Sequence, residues 1–441
     1  MIKRSKERVV ICRRPRCGVA SSSGDEMLCS EDDIAVFRES IFREDEDSVS
    51  LGVGFFVSHY RLLDDKIVQR VREIWLKGYD GVVLEQIIDL VRVVGKNRLF
   101  VSFVAEMMRD IIEICFDNSD LSMACLKCIK SVSKANFELR DSIAGGGFHE
   151  ILIENILNSK TPLTIVQLGF QLIGVLSESS EAGFWEEWRK ALTYLLEKNG
   201  KNQELHALYL TCFASIQQFV ENAPEDQVFP IIDETFLAAF DTLVTLDNTS
   251  VMAALYPVAS MTFLADEFSI AFLPRVISLI SNGYSTFKRT EVKLLCIILR
   301  NFAACEDNRV IESLLDPTIT SFLEDLMKES NFSIIKEAII IICFMINSHM
   351  SSVITYVLEN HCSIIEKLFE LIEIAEDDII LYCLECLRVI LEFLSLKDRG
   401  LYEKYLSLCL EHDLERVVYD SSQKYEQPLL VEIANRLNEL I

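Results

Sequence analysis

SIIKEAIIIICFMINSHM (Ser333–Met350), SSVITYVLENHC (Ser351–Cys362) and SIIEKLFELIEIAEDD (Ser363–Asp378) follow one another directly. Each segment is an apolar run at helical spacing, and polar residues separate the three. The reading is helix, short helix, helix. None of the three is long enough, or polar enough on its far side, to be stable alone, so each must pack on a neighbour.

Sliding the Lys-Glu-Ala entry and its apolar segment backward along the chain places equivalents of Ile340 at Ile297, Tyr256, Tyr209, Phe170 and Leu126. The intervals are 43, 41, 47, 39 and 44 residues, the period of HEAT and armadillo units. Forward, Asp378–Leu394 and Gln427–Leu440 keep the same beat. A single core for 441 residues would be unusually large, whereas a repeat array lengthens without thickening its core. Prolines and glycines are few, 8 and 16, which favours helix throughout. The expected fold is all-α, a right-handed α-solenoid of armadillo (ARM/HEAT-like) repeats with about nine units.

The longest uninterrupted apolar run, Ala338–Ile346, is under half of the roughly 20 residues that cross a bilayer, so no membrane partner is expected. The 14 cysteines are scattered through apolar helix faces behind no secretory signal. That usage points to a reducing compartment, cytoplasm and nucleus, with thiols serving as small core groups. Cys125/Cys128 and Cys383/Cys386 have CxxC spacing, but each pair sits mid-helix, and a structural zinc needs four converging ligands. No metal and no cofactor are expected.

Catalytic signatures are missing too. The six histidines are isolated, and Gly145-Gly146-Gly147 is followed by no Lys-Ser/Thr and preceded by no strand, unlike a phosphate loop. The chain does not read as an enzyme. Trp75 falls on an apolar helical stripe, and Trp185 and Trp188 bracket two glutamates in a helix that packs one edge on its neighbour.

Charge is divided along the chain. Residues 1–20 carry Lys3, Arg4, Lys6, Arg8, Arg13, Arg14 and Arg16 against Glu7, a net of +6, so the remainder of a chain of net −25 holds −31. Residues 1–23 read as a flexible basic arm, 24–52 as an acidic linker or frayed helix, and 53–441 as the solenoid. An acidic body favours basic partners and repels nucleic acid.

Several segments resemble importin-α, the armadillo adaptor of nuclear protein import: Ile334–Ala338 (IIKEA), Leu139–Phe148 (LRDSIAGGGF), Val353–His361 (VITYVLENH), Ile364–Glu376 (IIEKLFELIEIAE) and the ending Asp378–Ile441. The similarity spans roughly residues 110–441. It implies a groove in which Trp side chains hold the stems of Lys and Arg, Asn amides pin the peptide backbone and carboxylates meet its charges. At the matching positions stand Leu126/Lys130, Phe170/Gly174, Tyr209/Phe213, Tyr256/Ser260, Ile297/Asn301 and Ile340/Phe344. Asn301 is the one amide retained, and Phe170, Tyr209 and Tyr256 are the expected aromatic walls, partly exposed, with Pro257 bending its helix or marking its start. Glu178 and Glu337 match carboxylates that meet the signal's cations.

Arg13-Arg14-Pro15-Arg16 resembles the family's autoinhibitory cluster, which folds back on the groove. An importin-β-like carrier is implied as a partner, although the arm lacks the long basic docking helix. Two readings stay open. One is an import adaptor binding basic nuclear localisation signal peptides along an acidic groove; the other is a non-transport scaffold for another extended peptide or protein.

Overall fold

The computed structural model describes residues 30–412 and 416, apart from 80, 98–99, 118–119, 180–182, 199–202, 224, 247, 330, 362–366, 370–371 and 373–376. The basic arm with its seven cations, the helix expected at 427–440 and most of Ser363–Asp378 therefore lie outside the described residues. Every regular element among the described residues is helical. The chain divides after Met107 into two compact units.

In the first unit, α1 (Glu31–Ile41) packs on α2 (Glu46–Ser58) and α3 (Asp65–Lys77), and α2 packs on α4 (Gly81–Val94). Of the stretch read as an acidic linker or frayed helix, the described part, from residue 30 on, is thus largely helix. Its carboxylates occupy first turns, Glu31, Asp32 and Asp33 in α1 and Glu46 and Asp47 in α2, where they face the positive end of the helix dipole. Ser30 and Asp33 close a capping box. The end of α1 is held by buried Arg70, whose Nε donates to the Ile41 carbonyl at 3.1 Å and Nη2 to the Arg43 carbonyl at 3.0 Å, satisfying acceptors that the helix leaves open. Trp75 is half-buried.

After α5 (Val101–Ile114), the second unit is built of repeats. Its helices are α6 (Ser122–Ala135), α7 (Phe137–Gly145), α8 (Phe148–Ile156), α9 (Leu163–Leu176), α10 (Trp185–Lys198), α11 (Gln203–Asn222), α12 (Glu225–Val228), α13 (Glu234–Leu246) and α14 (Asn248–Leu264). They continue as α15 (Asp266–Ser281), α16 (Arg289–Ala303), α17 (Asn308–Ser313), α18 (Pro317–Met327), α19 (Phe332–Ile346), α20 (Ser351–Asn360), α21 (Asp377–Lys397) and α22 (Arg399–Glu411). The six anchor residues fall on α6, α9, α11, α14, α16 and α19, and each of these helices packs on the next, with α21 extending the stack beyond α19. These ladder helices are one layer. The outer helices α8, α10, α13, α15 and α18 are the second, each laid on the ladder helix that follows it.

Local sequence sets the joints. Gly147 ends α7 with φ 75° and opens α8, a left-handed conformation that glycine enters without steric cost. Pro317 occupies the first turn of α18, where its missing N–H is no loss, and Asp316 caps that helix. Asn331 caps α19 by accepting from the Ser333 N–H at 3.0 Å. Pro257 lies inside α14, nine residues after its first, so it does not mark the start of that helix.

Between the layers runs an aromatic core. Phe213 and Phe236 have ring centroids 5.4 Å apart, Phe236 and Phe272 6.0 Å, and Phe240 and Phe272 5.7 Å. Trp188 is fully buried, while Trp185 is half-buried. Ten described cysteines are buried, including both CxxC pairs, and no group of three or more metal-ligating side chains comes together among the described residues. No described helix is long and apolar enough to cross a membrane.

Two measurements check this packing. A Cβ at Gly174 would stand 2.8 Å from Ser215 Cβ and 3.2 Å from its Cα, so Gly174→Ala is expected to force α9 from α11 and lower stability by about 1–3 kcal/mol in urea unfolding. Gly81→Ala, with nothing within 4 Å of the new methyl, should leave the midpoint unmoved. Burial pushes the Cys212, Cys296 and Cys343 thiols up, away from the reactive thiolate. Peptide-resolved alkylation should therefore label them only after denaturation.

Candidate functional site

Side chains link each ladder helix to the next. Lys130 Nζ on α6 donates to Gln171 Oε1 on α9 at 2.6 Å, and Gln167 Nε2 on α9 donates to Thr211 Oγ1 on α11 at 3.1 Å. His206 Nε2 on α11 lies 2.6 Å from Ser250 Oγ on α14. Asn301 Nδ2 on α16 donates to the Ala259 carbonyl and to Thr262 Oγ1 on α14, both at 3.1 Å. Arg300 and Glu337 pair at 3.7 Å between α16 and α19, and the Phe344 and Tyr382 rings meet at 4.7 Å between α19 and α21.

These links change what the expected groove residues do. Asn301 is buried and spends its amide N–H groups on α14; it holds two repeats together and does not present those donors to a peptide. Glu178, just past α9, accepts from Arg140 Nη1 and Gln218 Nε2. Glu337 faces Arg300. Both carboxylates thus have a cation of this chain beside them.

The aromatic walls are also revised. Phe170 is 0% exposed and Tyr209 2%, so both are core, and only Tyr256 is half-exposed. Burial pushes the Tyr209 hydroxyl up to about 12. Leu126, Gly174, Phe213, Ser260 and Ile340 are buried, whereas Lys130, Ile297 and Phe344 are half-exposed. The anchors identify the stacked helices but mostly point inward.

The accessible row lies about one turn earlier. Three or four residues before each anchor stand Met123, Gln167, His206, Ala253, Lys293 and Lys336, and all six are half-exposed or exposed. Anchors chosen as the centre of an apolar pattern select its most buried line, so the offset is marked in the sequence by a polar residue at Gln167, His206, Lys293 and Lys336 and by nothing at Met123 and Ala253.

Charge follows the two layers. The outer helices α8, α10, α13, α15 and α18 hold eleven carboxylates and four cations. The ladder helices α6 through α19 hold seven cations, Lys127, Lys130, Lys134, Arg289, Lys293, Arg300 and Lys336, against Glu204, Glu221, Glu291 and Glu337. Of those four, Glu291 is buried and caps the Lys288 N–H at 2.6 Å. The expected acidic groove is therefore corrected: negative charge gathers on the outer layer, and the ladder carries an excess of cations. A cavity of about 420 Å³ between α8 and α10 belongs to that outer layer, lined by Glu150, Glu154, Glu186, Glu187, Trp185, Gly183 and Lys190. Glu154 is paired there with Lys190 at 3.6 Å and Glu186 with Arg189 at 2.5 Å.

No protein-family model matches this chain, and neither does any curated protein. Solved structures match it by shape. A crystal structure of an engineered protein aligns over 92% of this chain and 98% of its own, with a TM-score of 0.69 at 11% identity. A structure from work on a conserved phosphorylation switch controlling the interaction between cadherin and beta-catenin covers 92% of this chain and 86% of its own, with a TM-score of 0.67 at 14% identity. A designed armadillo repeat protein in complex with the peptide (KR)4 covers 54% of this chain and 99% of its own, with a TM-score of 0.45 at 14% identity.

Phe170→Ala or Tyr209→Ala should act on folding, lowering stability by about 3–5 kcal/mol in urea unfolding. Tyr256→Ala, at a half-exposed position, should lower it by under about 1.5 kcal/mol. By fold, the chain is an all-α solenoid of armadillo repeats.

Proposed function

We propose that this protein is an interaction scaffold, not an enzyme, and that ladder helices α6, α9, α11, α14, α16 and α19 take an extended segment of a partner protein. The observation that carries the reading is the accessible row at Met123, Gln167, His206, Ala253, Lys293 and Lys336, one side chain per repeat on consecutive stacked helices. An extended chain offers side chains at a short regular interval, so a surface with one contact position per repeat suits it. Known armadillo-type structures with this shape include one connected with the cadherin and beta-catenin interaction.

Import of proteins with basic signals is the narrower reading, and the side chains favour it less. Its aromatic slots fall on buried Phe170 and Tyr209, its retained amide on Asn301 is engaged, and Glu178 and Glu337 already face arginines. A basic peptide would have to displace Arg140 or Arg300 to reach those carboxylates.

Peptide display against the full chain tests the scaffold reading. Selected peptides are expected to slow amide exchange in the accessible turns of α6, α9, α11, α14, α16 and α19. Protection confined to α8, α10, α13, α15 or α18 would overturn it.

A further inference from the structure

The α6 helix carries Lys127, Lys130 and Lys134 and no carboxylate. Their spacing, i, i+3 and i+7, puts all three on one stripe of the helix. Lys127 and Lys134 are exposed and Lys130 half-buried. The one hydrogen bond made by the Lys130 ammonium among the described residues goes to the neutral side chain of Gln171. Among the described residues no carboxylate lies within 4.0 Å of any of the three. Burial, and then repulsion from Lys134 and Lys127, lowers the affinity of Lys130 for its proton.

This is an unusual place to leave cations unmatched. The chain has 68 carboxylates for 43 lysines and arginines, and cations on the outer layer do find them: Arg189 pairs with Glu186, Lys190 with Glu154 and Arg275 with Asp241. Farther along the stack, Lys293 on α16 is exposed and Lys336 on α19 half-exposed, both in the accessible row and both without an ion-pair partner among the described residues.

We infer that the segment taken by the ladder is acidic, an Asp/Glu-rich stretch of a partner protein anchored on the Lys127, Lys130 and Lys134 stripe and continuing toward Lys293 and Lys336. This rests on the scaffold reading above. A negative segment is repelled by the outer layer and drawn to the α6 stripe, where three cations stand with no carboxylate on the same helix, so charge chooses the face as well as the partner. Four steps separate α6 from α16. At about 10 Å per packed helix pair, an extended segment of roughly 12 residues spans them.

Fluorescence anisotropy on the full chain tests this with three synthetic peptides of about 14 residues: one Asp/Glu-rich, one with amides in place of the acids, and one with lysines. The acidic peptide should bind best, and about tenfold more weakly at 0.5 M salt, where screening acts within a few ångström. The triple variant Lys127→Gln, Lys130→Gln, Lys134→Gln should weaken it by about tenfold or more, while Lys160→Gln, on an exposed turn outside the ladder, should not. Thermal melts establish that the triple variant is folded, and Lys127→Gln with Lys134→Gln, both at exposed positions, is the milder second variant. Unchanged affinity in the folded variants, or stronger binding of the lysine peptide, would overturn the inference. If display-selected peptides protect the ladder yet are basic or uncharged, the scaffold reading stands and this one fails; if nothing protects the ladder, both fail.

Discussion

The ladder helices are apolar on more than one side, and the rest of the second unit follows from that. In α19 every residue from Ala338 to Cys343 is buried, a run longer than one helical turn and so facing all directions around the axis. Such a helix cannot lie on a surface; it needs α16 and α21 on its flanks and α18 and α20 across its remaining sides. α9 obeys the same constraint, with Gly169 and Gly174 allowing Ile156 and Ser215 to approach. The two layers are the way a chain of many short helices meets this demand repeatedly.

How much of this was legible in the sequence depends on the level. The period and the anchor helices were, because apolar spacing is a local property and Leu126, Phe170, Tyr209, Tyr256, Ile297 and Ile340 do sit on successive stacked helices. The site was not. A helix buried on several sides gives no sequence signal for which apolar position stays open, so Phe170 and Tyr256 read alike although one is core and the other half-exposed. Partners 38 and 40 residues away, Arg140 and Gln218, take up Glu178, and nothing near Glu178 in the sequence announces them. The acidic segment up to residue 52 reads as linker or frayed helix because its carboxylates cluster where α1 and α2 start.

Total charge misled in a related way. A net of −25 describes the chain but not its layers, and the ladder departs from the average in sign. The Lys127, Lys130 and Lys134 spacing matters because α6 belongs to the ladder and, among the described residues, the carboxylates abundant elsewhere do not pair with it. Positive charge kept on an inner layer beneath an acidic exterior separates solubility, which the exterior supplies, from recognition.

Among the described residues, the side-chain links between ladder helices named above join residues 37 to 44 positions apart: 37 for Arg300 with Glu337, 41 for Lys130 with Gln171, 44 for Gln167 with Thr211 and for His206 with Ser250, 39 for Asn301 with Thr262. Among the described residues no contact of this kind joins distant ends of the second unit, so loop-closure entropy is spent in small, nearly equal steps. Folding can begin at any seam and spread outward, and a defect at one seam weakens its neighbours while leaving remote repeats standing. Cooperativity in such an array has a finite range, and unfolding under stress starts from whichever end is less well tied.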